Sequence, residues 1–319
     1  MTDDGRSRSA TPAVMHWWYS GKDLVSSISM HTSPWSIGNG KSVALDKPRI
    51  VGILNVTPDS FSDGGRFSTP DDALRQAVRL VEDGADVIDV GGESTRPGAE
   101  PIDASEELRR VLPVVRALAR QHPDVPVSVD TIKSEVAAAT LDEGASIVND
   151  VSGFRIDPRM AQICAAHGAG VVLMHSRGGV RDMASFTHAT YDDVVADVLR
   201  ELGDRVREAE SAGVGSDHIV IDPGIGFAKR SEHSLAVLAA LPRFVALGYP
   251  VLVGASRKRF VGEIMGVKEP SARVSGSVGA HVTALLFGAR LFRVHDVRET
   301  RQALDVAWAV LRHGEAVTT

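Results

Sequence analysis

Eight short apolar runs recur along this chain of 319 residues. They begin near Arg49, Ala85, Val125, Ser146, Gly170, His218, Pro250 and Leu291. Their mean spacing of roughly 35 residues is the length of one strand–helix unit. Continuous apolar runs mark parallel strands buried on both faces, and the stretches between them carry helical periodicity. The pattern predicts an α/β fold, a (β/α)8 TIM barrel over 47–315 with an N-terminal extension over 1–46. A barrel of about 250 residues uses nearly all of the chain. Its chemistry belongs at the carboxyl ends of the strands, which here read Asn55, Glu93, Asp130, Asn149, His175, Asp222, Ser256 and His295.

Hydrophobic residues make up 43% and charged residues 24%, enough for a large core in a globular protein. A net charge of -6 gives no global attraction to nucleic acid or acidic membranes, so an anionic ligand needs a local basic pocket. The single cysteine, Cys164, excludes an intramolecular disulfide. No apolar run reaches the roughly 18 residues of a membrane span, and the N-terminus lacks the apolar stretch of a secretory signal. A cytoplasmic enzyme acting on small molecules, with no nucleic-acid or membrane partner, is expected.

Residues 1–46 are rich in Ser, Gly and Thr yet hold Trp17, Trp18, Tyr19 and Trp35. They read as a partly disordered tail whose aromatics cap the barrel floor, with a partner-binding segment as the alternative. Gly38–Ser42 is not a P-loop, because Trp35 stands where its first glycine belongs and no apolar strand precedes it. Helices are expected over Asp71–Gly84 (capped by Asp71 or Thr69), Ser105–His122 (opened by a cap-like Ser-Glu-Glu), Tyr191–Ala212, Ser231–Leu247, Ala272–Gly288 and Glu299–His313. Gly178–Thr190 is the longest loop expected on the active face.

The loop after the first strand is long, polar and closed by Gly64 and Gly65, with Asn55 at the strand end and Phe61 exposed. It reads as a lid. After the second strand, Thr95 and Arg96 lie on a glycine-flanked loop suited to a phosphate. Asp130, Asn149 and Asp222 end three different strands. Facing one mouth, they form an acceptor-rich pocket for a flat heterocycle with several N–H donors. Asp150 reads equally as a helix N-cap. Arg257, Lys258, Arg259, Arg293 and His295 follow strands seven and eight, where barrels commonly bind phosphate. An ion pair is expected to occupy one of Arg257 and Arg259. His122, His167 and His233 read as surface or helix-end residues.

Gly-Ile-Leu-Asn-Val-Thr-Pro-Asp-Ser-Phe-Ser-Asp-Gly-Gly at 52–65 and Asp-Val-Gly-Gly-Glu-Ser-Thr-Arg-Pro-Gly at 89–98 resemble the first two signatures of the dihydropteroate synthase family. Ser-Val-Asp-Thr, Asn-Asp-Val-Ser, Leu-Met-His, Asp-Pro-Gly-Ile-Gly-Phe, Ser-Arg-Lys and Arg-Val-His-Asp-Val follow in the family's order, so the resemblance covers about 49–313. It implies condensation of 6-hydroxymethyl-7,8-dihydropterin diphosphate with 4-aminobenzoate, assisted by Mg2+ and releasing diphosphate, in an enzyme targeted by sulfonamides. It implies catalytic roles for Asp130, Lys258 and Arg293. Asp130, Asn149, Met174, Asp222, Phe227, Lys258 and Arg293 would hold the pterin. Asn55, Thr95, Arg96, Arg293 and His295 would hold the diphosphate, with Asn55 on the metal. Phe61, Pro97 and Arg259 would shape the aminobenzoate site. The arylamine is neutral at pH 7, so no strong general base is required, and an SN1-like path is expected.

The sequence departs from the family's pattern after His175, where Ser-Arg-Gly-Gly-Val-Arg-Asp-Met lacks the usual proline, at Ala228, and at Arg259. The alternatives are a pterin-binding paralogue without catalysis and a pterin-dependent methyltransferase. The nearly uniform apolar character of Ala272–Gly288 predicts a homodimer, as the resemblance also implies.

Overall fold

The computed structural model describes residues 33–57, 70–94 and 99–318. It begins with a hairpin, β1 (Trp35–Ile37) and β2 (Lys41–Val43), paired antiparallel. Its turn holds Asn39 and Gly40 at positive φ, 63° and 68°, which Asn and Gly tolerate best. The hairpin seals the barrel floor. Trp35, Ile37, Val43 and Leu45 form one buried cluster with Val51, Val87, Ile147, Val172, Val220, Leu252 and Leu291. The Trp35 indole donates to the His218 carbonyl at 2.8 Å. The fit is tight, since a Cβ on Gly170 would lie 2.6 Å from Ile37 Cγ2.

Eight parallel strands follow: β3 (Arg49–Asn55), β4 (Val87–Gly91), β5 (Val127–Asp130), β6 (Ile147–Asp150), β7 (Gly170–Met174), β8 (Ile219–Asp222), β9 (Leu252–Val253) and β10 (Leu291–Val294). They pair in the order β8-β7-β6-β5-β4-β3-β10-β9. A parallel bridge between Ile221 and Val251, with Ile221 N–H donating to the Pro250 carbonyl at 3.0 Å, closes the ring between β8 and β9. The expected TIM barrel is therefore the fold. The sheet's outer face and the helices around it share one large core.

The helices are α1 (Pro70–Glu82), α2 (Ala104–Gln121), α3 (Ser134–Asp142), α4 (Met160–His167), α5 (Val194–Ser211), α6 (Ser231–Ala239), α7 (Leu241–Val245), α8 (Arg259–Met265), α9 (Val274–Leu286) and α10 (Val297–Thr318). Several boundaries differ from the sequence expectation. Asp71 lies inside α1, which Pro70 opens, so it is no N-cap. The cap of α2 is Asp103, whose carboxylate accepts from Glu106 N–H at 2.8 Å, rather than Ser105. The single helix expected over Ser231–Leu247 breaks at Ala240, because Pro242 cannot donate to the preceding turn. The start of Ala272–Gly288 is a 3-10 turn, Pro270–Arg273. Asp150 caps a turn instead of a helix, accepting from Ser152 N–H at 2.7 Å. Among the described residues, no helix is long and apolar enough to cross a membrane.

Candidate active site

Asp89 is an acid in the middle of an otherwise apolar strand, Val87-Ile-Asp-Val-Gly91, and it is fully buried. Three donors converge on it from three other strands. Ser128 Oγ donates to Oδ1 at 2.6 Å, Asn149 Nδ2 to Oδ2 at 3.1 Å, and Arg293 Nε to Oδ2 at 2.6 Å. Arg293 also donates through Nη2 to Asp130 Oδ2 at 2.5 Å. One guanidinium thus spans β10, β4 and β5. Burial raises the Asp130 carboxyl to about 7, with Arg293 pulling down and Asp89 pushing up. Burial opposes the charge on Arg293, but Asp89 and Asp130 more than restore it, so this arginine stays ionised.

Asp222 closes β8 and is 5% exposed. Its Oδ1 accepts from Gly224 N–H at 2.7 Å. Burial raises its carboxyl to about 6 against that bond and the nearby Lys258 and Lys229. The chain then turns tightly through Gly224 and Gly226, both at positive φ. A Cβ on Gly224 would sit 1.9 Å from the His175 carbonyl oxygen, so only glycine fits. The turn lays Phe227 under Lys258, whose Nζ is 4.1 Å from the ring centroid. Burial lowers Lys258 to about 8, with Asp222 and Asp130 opposing the fall.

Lys258 is presented by a strained neighbour. Arg257 has φ 57°, a costly conformation for a non-glycine residue. It is held there by Ser277 Oγ, which accepts its N–H at 2.8 Å, and by Asp296, which takes its guanidinium at 3.0 and 2.5 Å. Beside it, Ser256 Oγ accepts from His295 N–H at 3.1 Å and lies 3.0 Å from His295 Nδ1. Accepting the backbone proton leaves the hydroxyl free to turn its own proton to Nδ1, an arrangement that places the ring proton on Nε2. Burial, Arg257 and Arg293 hold His295 down at about 3, so the ring is neutral.

The apolar wall joins Met174, Ile132, Val151 and Phe227 to Met183 of the loop after β7. A small cleft, with a cavity volume of only about 20 Å³, opens there, lined by Asp130, Thr131, Glu93, Val180 and Met183 among others. Asn55 is half-buried. Its Oδ1 and Asp130 Oδ2 lie 3.7 and 3.8 Å from the point a Cβ on Gly91 would occupy, so both face one side of β4. Among the described residues, no three His, Cys, Asp or Glu side chains gather to hold a metal.

The structure therefore brings together Asn55, Asp130, Asn149, Met174, Asp222, Phe227, Lys258, Arg293 and His295. The expected cationic cluster after strands seven and eight is thinner than its sequence suggests. Arg257 is spent on Asp296, and Arg259 stacks on the Phe186 ring at 4.2 Å. His295 is neutral, and Arg293 faces two carboxylates. Phe61, Thr95, Arg96 and Pro97 lie outside the described residues. Sequence reasoning missed Asp89 and Lys229. The signal for Asp89 was a lone acid inside an apolar strand. Lys229 gave none beyond its place in the segment after Asp222.

A barrel whose rim sets carboxylates and an amide beside a lysine and an arginine suits a flat heterocycle with several N–H donors. The family model described as "Pterin binding enzyme" matches residues 51–295. The dihydropteroate synthase of Mycobacterium leprae is 46% identical over 280 residues, covering 86% of this chain and 98% of that protein. The Xanthomonas albilineans dihydropteroate synthase solved with 4-aminobenzoic acid superposes with a TM-score of 0.81 at 47% identity, over 87% of this chain and 98% of that one. The same enzyme in complex with 7,8-dihydropteroate gives 0.77 at 45% identity, over 86% and 98%. The chain belongs to the pterin-binding enzymes and, within them, to the dihydropteroate synthases, transferases of folate synthesis.

Proposed function

We propose that this chain makes dihydropteroate by ionisation before attack. The C–O bond of 6-hydroxymethyl-7,8-dihydropterin diphosphate breaks, diphosphate departs with the electron pair, and the dihydropterin ring shares the cation left on the methylene. The neutral amine of 4-aminobenzoate then forms the C–N bond and loses a proton to solvent. The observation that carries this reading is the gathering of Asp130, Asn149 and Asp222, from three strands, beneath Lys258 and Arg293. Asp222 and Asn149 pair with the pterin's N–H edge, and Met174 and Phe227 supply its apolar walls. Ionised Asp130 lowers the energy of the nearby cation. Bound ring N–H donors favour that ionised form, so substrate binding draws the Asp130 carboxyl down from about 7.

Arg293 and the Nε2–H of His295 serve the departing diphosphate, with Thr95 and Arg96 assigned there from the sequence. Phe61, Pro97 and Arg259 are assigned to 4-aminobenzoate on the same ground. The donor chemistry fits Mg2+ held mainly by diphosphate oxygens and water, with the Asn55 amide oxygen as the protein's ligand, since Mg2+ keeps several waters and takes few protein groups. When bound, the ion neutralises charge growing on the leaving group. Purified protein given both substrates and Mg2+ is expected to release diphosphate, and a sulfonamide to compete with 4-aminobenzoate. Pterin binding without turnover would replace this reading with a non-catalytic one.

A homodimer is proposed through α9 and α10. The outward positions of α9 are small, Ser275, Gly279 and Thr283, and the neighbouring α10 exposes Val306 and Val310, each 68% accessible. Light scattering at micromolar protein is expected to give twice the chain mass, and a monomer would reject the interface. The one cysteine, Cys164, is a buried free thiol, which suits a reducing compartment such as the cytoplasm.

A further inference from the structure

Lys229 is 2% exposed and lies behind the pterin site, with no part in the chemistry above. Its ammonium has three N–H donors and meets three acceptors: His175 Nδ1 at 2.8 Å, the Gly224 carbonyl at 3.1 Å and the Phe227 carbonyl at 3.1 Å. Two of those acceptors belong to the turn that carries Asp222 and Phe227. That turn has few bonds of its own, Gly224 N–H to Asp222 Oδ1 at 2.7 Å and Phe227 N–H to the Gly224 carbonyl at 3.1 Å. Gly224, Gly226 and Ala228 all have positive φ, at 70°, 79° and 46°, and the last is a strained value for alanine.

The third acceptor belongs to a ladder. His175 Nε2 lies 3.0 Å from Glu201 Oε2 on α5. A carboxylate accepts only, so the ring proton is on Nε2 and Nδ1 offers its lone pair to Lys229. Glu201 is fixed in turn by Arg177, whose Nε donates to it at 3.0 Å and whose guanidinium stacks 4.0 Å from the Tyr191 ring. Tyr191 Oη closes the circuit by donating to the Ala228 carbonyl at 3.0 Å. Burial holds His175 down at about 4, so it serves as a neutral relay. Burial likewise lowers Lys229 to about 7, with Asp222 and Glu201 sustaining its charge and Arg177 and Lys258 opposing it.

We propose that Lys229 is a positioning residue for the pterin: through the Glu201–His175–Lys229 ladder it fixes the Asp222–Phe227 turn, and so sets the carboxylate and the ring that receive the heterocycle. The ammonium grips the turn from behind, while Phe227 supports Lys258 from beneath. Losing the grip loosens the pterin platform and leaves the aminobenzoate side unchanged. The inference rests on the assignment of Asp222 and Phe227 to the pterin.

The test is steady-state kinetics and calorimetric binding of the dihydropterin diphosphate on full-length Lys229→Met, Glu201→Gln, their double mutant and Asp222→Asn. Lys229→Met is expected to raise the pterin KM and Kd about tenfold or more, the loss of a charge-assisted hydrogen-bond set. The KM for 4-aminobenzoate at saturating pterin is expected to stay within about twofold of wild type. Glu201→Gln raises the pterin KM less, and the double mutant matches Lys229→Met, because both act through one ladder. Wild-type pterin KM in Lys229→Met, equal loss in both substrates, or additive effects in the double mutant would overturn the proposal. If Lys229→Met does not fold, Glu201→Gln decides alone, and an unchanged pterin KM rejects the ladder. Asp222→Asn separates the two failures. If it binds pterin normally, the site assignment falls. If it binds weakly while Lys229→Met binds normally, only the positioning role falls.

Discussion

Arg293 donates to Asp89 at 2.6 Å through Nε and to Asp130 at 2.5 Å through Nη2. The barrel's buried centre and its reactive rim are therefore joined by one side chain. Asp89 is the fixed end, saturated by Ser128, Asn149 and Arg293. Asp130 is the end left for substrate.

Removing the fixed end strands its donors. Asp89→Ala takes the shared acceptor from Ser128, Asn149 and the Nε of Arg293, leaving that guanidinium only Asp130, and breaking a buried pair this way costs about 3–5 kcal/mol. Urea melts are expected to show that loss. Residual folded enzyme should bind pterin weakly, because Arg293 and Asn149 lose their orientation together. A variant as stable as wild type would show that Asp89 does not organise this network.

Asp130 should trade stability for activity, with a defined pH dependence. Its carboxyl moves from 3.8 to about 7 on folding. Between those values the native state holds a proton that the unfolded chain has released. Its contribution to stability is thus fully present below the lower value and lost as pH rises through the upper one. Asp130→Asn is neutral throughout. The stability difference between variant and wild type is expected to move in the variant's favour as pH rises from about 4 to about 8, against a pH-independent cost of taking one carboxylate from Arg293, while turnover falls about 100-fold or more. Thermal melts across that range, read beside diphosphate release, check both halves.

Ser256 makes two contacts with His295, at 3.0 and 3.1 Å, and its hydroxyl proton turned to Nδ1 would hold the ring proton on Nε2. In Ser256→Ala the ring can place its proton on either nitrogen, and the donor toward diphosphate is diluted. A loss of about tenfold in kcat/KM is expected, equivalent to one hydrogen bond of about 1.4 kcal/mol. Nitrogen NMR of His295 should show a single tautomer in wild type and a mixture in the variant. A single tautomer in both would remove the serine from the argument.

The floor predicts the opposite phenotype. Trp35 is 1% exposed and sits at the amino ends of the strands, far from the rim chemistry. Trp35→Ala is expected to cost about 3–5 kcal/mol of stability and to leave kcat and both KM values unchanged below its melting temperature. A changed KM would mean that floor and rim are coupled.

Much of this architecture was legible in the chain. Apolar runs ending in polar residues located the strands, because a parallel strand buried on both faces carries most of its polar groups where it emerges at the rim, Asp89 being the exception. Asn149 and Asp222 were readable for that reason. Helix ends were less legible. The acid at 103 and the proline at 242 decide them locally, yet each competes with neighbours of similar propensity, such as Ser105. The basic residues were the least legible. Arg257 and Arg259 are two positions apart and look alike in sequence, but one is committed to Asp296 and the other to Phe186.

The sequence by itself determined the eightfold period, the face that carries the chemistry and the identity of the motif residues, since these depend on local periodicity and on residue type. Only the tertiary structure decided which charges remain available. Asp89 and Arg293 are 204 positions apart and meet because the sheet closes on itself. Burial, not sequence neighbourhood, makes His295 neutral, raises Asp130 and turns Lys229 into a buried clamp. Desolvation is a property of the packed barrel, and no stretch of the chain contains it.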